Sequence, residues 1–332
     1  MKKVFIIACM LTMLIPFVGM IGFATNETAE KTELASWPEF FEEGKFNTEY
    51  LAEAGDYFED HFAFRSWLVS AYANLEKYLL HTSANDQVIL GKDNWLFYTE
   101  TLPDFQGEEL LSQRELNNIV HNLSLIKQDA NNNGAQFLFV IAPNKNSIYP
   151  EYMPYYYTQG EKSNASRLLV MLNEAGIENV DLFSLLKSEK QNQQLYYISD
   201  SHWNNTGAYL AYTNMMEALG LTAKSYDWQQ AQTILHTGDL EEMLSPETLH
   251  LEEDVSIENQ SQYTLVDLQE EFDTMNNILQ TQNDNGNSHS LLMYRDSFGN
   301  ALFEYMADTF DRVFYTRLVP YNLYQVQATQ SD

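Results

Sequence analysis

Cysteine is nearly absent from this chain of 332 residues: Cys9 stands alone, inside an uncharged N-terminal run rather than at its end. A lipid-anchoring cysteine would close such a run, whereas fifteen residues of it follow Cys9, which is therefore read as a leader residue. Beyond the leader no disulfide and no thiolate metal site can form, so stability must come from core packing. Positive charge is the second scarcity, with 18 Lys and Arg against 47 Asp and Glu and a formal charge of -29. Phosphate binding needs clustered Lys and Arg, so nucleic acid is excluded as a partner. Polyanionic glycans are disfavoured at long range, and a neutral or cationic polymer suits the field better. The seven histidines, at 61, 81, 121, 202, 236, 250 and 289, show no i, i+4 pairing of the kind metal-dependent hydrolases use. No EF-hand loop spacing and no internal repeat is present, and no metal or cofactor is expected.

What the chain does have begins with Met1-Lys2-Lys3 and a run from Val4 to Ala24 without a charge. Those 21 residues are long enough to span a bilayer, and Gly22-Phe23-Ala24 offers small residues for cleavage, so residues 1–24 read as a signal peptide or a membrane anchor. Either reading places the remainder outside the cytoplasm, with the membrane contacted through this segment. Residues 25–45 are polar and acidic and read as a stalk. Residues 46–332 read as one domain.

Within that domain the apolar spacing from Phe46 to Leu80 predicts two helices meeting near Ala63 to Ser66. Val88 to Tyr98 reads as a hairpin about a Gly-Lys-Asp-Asn turn. Ser112 and Glu115 form a capping-box signature for a helix to about Ala130. Gln136 to Ile141 is an apolar run without alternation, expected as a strand buried on both faces of a parallel sheet. Asn144 and Asn146 follow it, in a loop where ligands of open α/β sheets gather. Helix, strand and helix then alternate to about Glu189. Between Ser225 and Tyr294 there are 14 carboxylates and no Lys or Arg, and residues 225–290 read as a solvated acidic insertion. A strand at Leu291 to Tyr294, a helix from Phe298 to about Thr309 and a strand at Arg312 to Thr316 complete the alternation. A last strand and helix would be expected after Asn322, so a truncated C-terminus or an incomplete sheet edge is expected. The fold class is α/β, a three-layer, mostly parallel sheet with N-terminal helices.

Two short stretches carry chemistry. Asp200-Ser201-His202-Trp203 sets an acid and a base two residues apart, hence on one side of an extended segment, just ahead of a helix. Ser297 ends an apolar strand and begins a helix, a place that exposes the hydroxyl and offers free N–H groups. A serine hydroxyl is unreactive at neutral pH without a base in reach, and His202 oriented by Asp200 would supply one. The bland alternative is a helix-capping serine and a satisfied histidine.

Asp200-Ser201-His202-Trp203-Asn204, Val88 to Tyr98, Gly238-Asp239-Leu240 and Arg295-Asp296-Ser297-Phe298-Gly299-Asn300 together resemble the DHHW family of Gram-positive bacteria, itself similar to the acetyltransferases of alginate O-acetylation. The likeness runs from about Phe46 to Asn322. It implies a circularly permuted SGNH-hydrolase-like domain in which Ser297 is the nucleophile, His202 the base and Asp200 its partner. Position 201 is Ser where the family's naming motif has a second His. Arg295 stands where ordinary members of the superfamily have Gly, and either narrows the oxyanion region or binds substrate. Asn144 or Asn146 would be the oxyanion asparagine. The implied function is an exported O-acetyltransferase or acetylesterase acting on a cell-surface or extracellular polysaccharide, with a membrane-bound O-acyltransferase as acyl donor in the case of transfer. The competing expectation is a catalytically inactive glycan-binding or assembly protein, motivated by Arg295 and by 21 Tyr and 5 Trp.

Overall fold

The computed structural model describes residues 35–42, 45–75, 83–245, 249–266 and 279–317, with a few positions of the leader. The leader as a whole, most of the stalk and the expected C-terminal sheet edge beyond residue 317 lie outside the described residues. Among the described residues no helix is long and apolar enough to cross a membrane. The chain divides into two compact units, one of Met1–Leu90 and Thr237–His250, the other of Gly91–His236 and Leu251–Asp332.

In the first unit the two predicted helices are Tyr50–Asp60 and Arg65–Leu75. The chain turns between them at Phe64, which adopts φ 63°. Trp37, expected within a loose stalk, instead packs edge-on against Tyr57 and Phe58 at 5.1 and 5.7 Å between ring centroids. A short helix, Asp239–Leu244, belongs to the same unit, and its Met243 carbonyl accepts from the Asn85 side chain at 2.9 Å.

The second unit contains the long helix Gln113–Asn132, which starts at the predicted capping box: Ser112 accepts from the Glu115 N–H and Glu115 from the Ser112 N–H. Leu116 of this helix meets Leu168 and Leu172 of the helix Asn164–Glu174, with Ile177, in one buried cluster. Phe137, Phe139 and Ile141 pack against that cluster. These alternate residues share one strand face, so the apolar run is half-buried rather than sealed on both faces as expected. Its regular part, Phe139–Val140, pairs in parallel with Asn179–Val180.

The larger sheet has four strands in the order Ser290–Tyr294, Arg312–Thr316, Leu279–Gln282, Thr264–Leu265. The first pair is parallel and the other two are antiparallel, which makes the sheet mixed rather than mostly parallel. Arg312–Thr316 is thus an interior strand, and part of the stretch read as a solvated insertion supplies its neighbour Leu279–Gln282 and, next to that, Thr264–Leu265. Tyr315 and Val313 of this strand are fully buried.

Asn204 caps the helix Asn205–Ala218, its side chain accepting from the Gly207 N–H at 2.9 Å. A Cβ on Gly207 would lie 2.3 Å from the Leu195 carbonyl oxygen, so the turn that carries residues 195–204 is pressed against the first helical turn. Backbone on backbone leaves no flexible atom to yield. Gly207→Ala is expected to cost about 2–3 kcal/mol, read as a lower denaturant midpoint.

Candidate active site

The segment from Tyr196 to Asn204 has no regular secondary structure apart from a bridge between Tyr196 and Trp203, so other parts of the chain must hold it. Trp203 is 1% exposed, donates from its indole nitrogen to the Phe298 carbonyl at 3.0 Å and meets the Phe298 ring edge-on. It is a packing anchor that ties the Asp200 segment to the Ser297 segment. Leu96 donates to the Ile198 carbonyl at 2.9 Å.

Two further supports were invisible as such in the sequence. Lys145, 3% exposed, points its ammonium at the carbonyls of Tyr197 (3.1 Å), Ile198 (3.0 Å) and Asp200. Its nitrogen also lies 5.6 Å from the Trp95 ring centroid and 5.2 Å from that of Phe97. On the other side, strand Leu251–Ser256 pairs with strand Gln232–Thr237 and turns Glu252 and Asp254 inward, with Glu253 between them exposed. Glu252 accepts from the N–H groups of Ile198 and Ser199 at 2.7 and 2.8 Å and from the Ser199 hydroxyl. Asp254, 7% exposed, accepts from the Asn205 N–H at 3.0 Å and from the Tyr197 hydroxyl. These carboxylates satisfy backbone donors that the irregular segment leaves unpaired; they are not a solvated face.

Asp200 is 4% exposed. Its Oδ1 accepts from the His202 N–H at 2.8 Å and from His202 Nδ1 at 2.7 Å. A carboxylate only accepts, so Nδ1 carries the proton and Nε2 of the neutral ring is left as an acceptor. Ser297 Oγ lies 2.7 Å from that Nε2 and donates to it. Serine, imidazole and carboxylate thus form one continuous chain of hydrogen bonds. Burial pushes the Asp200 carboxyl upward, but the hydrogen bonds from His202 and His236 outweigh it and hold the group well below the usual carboxylate range. His236 reaches the second oxygen, Oδ2, at 2.8 Å. Its ring stacks on Tyr197 at 3.8 Å. Burial favours neutral His236, yet Asp200, followed by Glu252 and Asp254, raises its pKa overall. Burial and the bond to Asp254 push the Tyr197 phenol far up, so it stays neutral.

Ser297 does not begin a long helix. It opens a short 3-10 turn, Ser297–Asn300, capped by the Asp296 side chain, and the α-helix begins only at Phe303. Arg295 braces this turn: its guanidinium donates to the Asn300 side chain and to the Asp296 carbonyl, and its stem fills the space where a Cβ on Gly299 would sit, 2.7 Å away. Asn146 is 1% exposed and spends its amide donors on Thr101, at 2.8 Å to the hydroxyl and 3.4 Å to the carbonyl. Asn144 caps the short helix Lys145–Ile148 without using its side chain for the cap. The structure therefore brings Ser297, His202 and Asp200 together, turns Asn146 toward Thr101, and adds Lys145, His236, Glu252 and Asp254. Of these four only Lys145 fell within a stretch that the sequence marks as a site wall.

Residues 88–306 match the family model described as ALGX, SGNH hydrolase-like domain, acetyltransferase AlgX. The chain is similar to a protein named probable alginate O-acetylase AlgJ from Pseudomonas syringae pv. tomato, at 26% identity over 210 residues, 58% of this chain and 50% of the relative. The protein of the same name from Pseudomonas aeruginosa is 23% identical over 198 residues, 55% of this chain and 47% of the relative. The chain therefore spans about half the length of these curated relatives. Among solved structures, Bacillus cereus PatB1 aligns with a TM-score of 0.53 at 18% identity, covering 73% of this chain and 92% of PatB1. A DHHW family protein from Eubacterium siraeum aligns with a TM-score of 0.48 at 17% identity, covering 63% of this chain and 80% of its own. The likeness to PatB1 is one of fold. The matched span holds Asp200, His202 and Ser297, and the chain belongs to the SGNH hydrolase-like acetyltransferase family described by AlgX.

Proposed function

We propose that this chain is an extracytoplasmic serine acyl-transfer enzyme, an O-acetyltransferase or acetylesterase acting on a cell-surface or extracellular polysaccharide. The observation that carries the reading is the pair of 2.7 Å contacts that join Ser297 to His202 and His202 to Asp200. In the first half-reaction His202 Nε2 takes the Ser297 proton as Oγ bonds to the acetyl carbon, and the imidazolium formed is stabilised by Asp200. The proton then passes to the departing oxygen as the ester bond breaks, leaving acetyl-Ser297. In the second half-reaction His202 removes a proton from a sugar hydroxyl or from water, whose oxygen takes the acetyl group, and the proton returns to Ser297. The Ser297 N–H has no partner within the protein among the described residues, and with the Asn144 side chain it is assigned to the oxyanion. Asn146 is set aside because Thr101 takes its donors. Arg295 is assigned to hold the nucleophile turn rather than substrate.

The polysaccharide acceptor is supported by the relatives named alginate O-acetylases. An acetyl donor must reach the site from elsewhere, because acetyl-CoA is not available outside the membrane; a membrane-bound O-acyltransferase fits an anchored chain, and simple hydrolysis fits a cleaved one. The test is reaction of the full chain with a serine-directed fluorophosphonate and with 4-nitrophenyl acetate. Release of nitrophenol and an adduct mass on the Ser297 peptide, both lost in Ser297→Ala, are the expected results. A wild type that neither turns over nor labels overturns the reading. That outcome would favour a glycan-binding protein without turnover, which the outward rings of Tyr155 and Tyr156, 88% and 62% exposed, would serve.

A further inference from the structure

Asp200 is shared between two histidines, and only one of them faces Ser297. His202 takes Oδ1 through its backbone N–H and Nδ1, at 2.8 and 2.7 Å, while His236 Nε2 takes Oδ2 at 2.8 Å. The second contact is built. His236 sits on the strand Gln232–Thr237, and its ring lies flat on Tyr197, 3.8 Å between centroids and 16° between planes. Tyr197 is itself pinned by its hydroxyl to Asp254. Ring plane and reach are thus both fixed, and the ring can meet the carboxylate only edge-on through Nε2.

Because Asp200 only accepts, Nε2 of His236 carries a proton whether the ring is neutral or charged. The ring's other nitrogen, Nδ1, has no partner within the protein among the described residues, and the side chain is 30% exposed. Titration of His236 therefore takes place at Nδ1, with the hydrogen bond to Asp200 kept and only the charge beside it changed. The groups facing this ring are Asp200, Tyr197, Glu252 and Asp254, and beyond the shared carboxylate stands His202. The ammonium of Lys145 lies against the Asp200 carbonyl.

On the reading that His202 is the base for Ser297, we propose that His236 is a positioning residue that sets the plane of Asp200 and, when it gains its second proton, weakens the hold of Asp200 on the His202 imidazolium. Two imidazoliums cannot each have the full benefit of one carboxylate, so their titrations are coupled. Neutral His236 orients Asp200 through a neutral donor and brings no competing positive charge against the imidazolium that forms during attack. Charged His236 orients it equally well but takes part of that charge. Turnover then falls with decreasing pH in two steps, one for each histidine, where a lone serine, histidine and carboxylate set would give one.

Glutamine at 236 keeps a donor for Asp200 and cannot charge; alanine removes both. The test follows turnover of 4-nitrophenyl acetate by the full chain from about pH 5 to about pH 9. Expected are an acid limb spread over two ionisations in the wild type and over one in His236→Gln. His236→Ala is expected to lower kcat about tenfold on the neutral side of the acid limb, with KM changed less than about twofold, and to show the same single acid ionisation as His236→Gln. Superimposable profiles for wild type and His236→Gln overturn the proposal, as does wild-type kcat in His236→Ala. A second measurement needs no turnover: in Ser297→Ala, with histidine ring carbons labelled and the His202 signal assigned by its loss in His202→Gln, NMR follows the His202 titration. His236→Gln is expected to move that titration to higher pH, since the competing cation is gone, and an unmoved midpoint overturns the proposal. A wild type inert toward esters would defeat the assignment of Ser297 as nucleophile while leaving the NMR comparison to decide the coupling of the two histidines.

Discussion

Asp200→Asn is expected to lower kcat toward an acetyl ester by about 10³ to 10⁴-fold, with no loss of folded protein by circular dichroism. The donors to Asp200 include two from His202 on one oxygen and one from His236 on the other. An asparagine has a single oxygen to offer. If the amide NH2 turns toward His202, the ring must change tautomer, Nε2 becomes protonated and Ser297 loses its base. If the NH2 turns toward His236, that ring can change tautomer instead, but the imidazolium on His202 then forms beside a neutral amide. Both arrangements raise the barrier, by roughly 4–5.5 kcal/mol for the stated loss. Turnover within about tenfold of wild type would mean that Asp200 is a structural acceptor only.

Lys145→Met is expected to be the most damaging single change to the fold, at about 3–5 kcal/mol, read as a lowered denaturant midpoint. The size follows from what is left behind. Methionine fills a similar volume against Trp95 and Phe97, yet the carbonyls of Tyr197, Ile198 and Asp200 lose a charged donor at once, each an acceptor whose unmet need costs about 1–3 kcal/mol. These carbonyls belong to the segment that delivers Asp200, so turnover should fall along with stability. A loss below about 1 kcal/mol would show that water takes the place of the ammonium and that the segment holds itself.

The residues that the structure gathers at the candidate site and that have a local signature were legible in the chain. Ser297 follows an apolar strand, Asp200 and His202 are two apart, though in a bend that the Asp200 side chain closes onto the His202 N–H rather than in the extended stretch expected, and Ser112 with Glu115 forms the capping box that starts the long helix. Each of these is a short-range pattern, and short-range patterns survive in one dimension. Lys145, His236, Glu252 and Asp254 do their work through contacts 36 to 57 positions away, and no spacing announces them. Asp254 illustrates why charge counting misled: an acid among 14 carboxylates without a Lys or Arg suggests a solvated face, whereas this one is buried because its partners are a backbone N–H and a phenol rather than cations. The mixed sheet was hidden for a similar reason. Leu279–Gln282 lies in an Asn- and Gln-rich stretch whose pairing with Arg312–Thr316 depends on the partner strand rather than on its own composition.

The clamp on the segment that carries His202 is made of contacts distant in sequence. Ile198 and Ser199 find their acceptor in Glu252, 54 and 53 positions later, and His202 finds Ser297 across 95. Loops of that length must close before the contacts they bring can repay the lost chain entropy, which makes such contacts slow to form. A growing chain that has reached Asn205 can brace Asp200 and His202 through Lys145 and Leu96, whereas Glu252 and Asp254 come only with the strand Leu251–Ser256. The arrangement of Asp200, His202 and Ser297 is therefore a property of the folded whole and of no single segment of it.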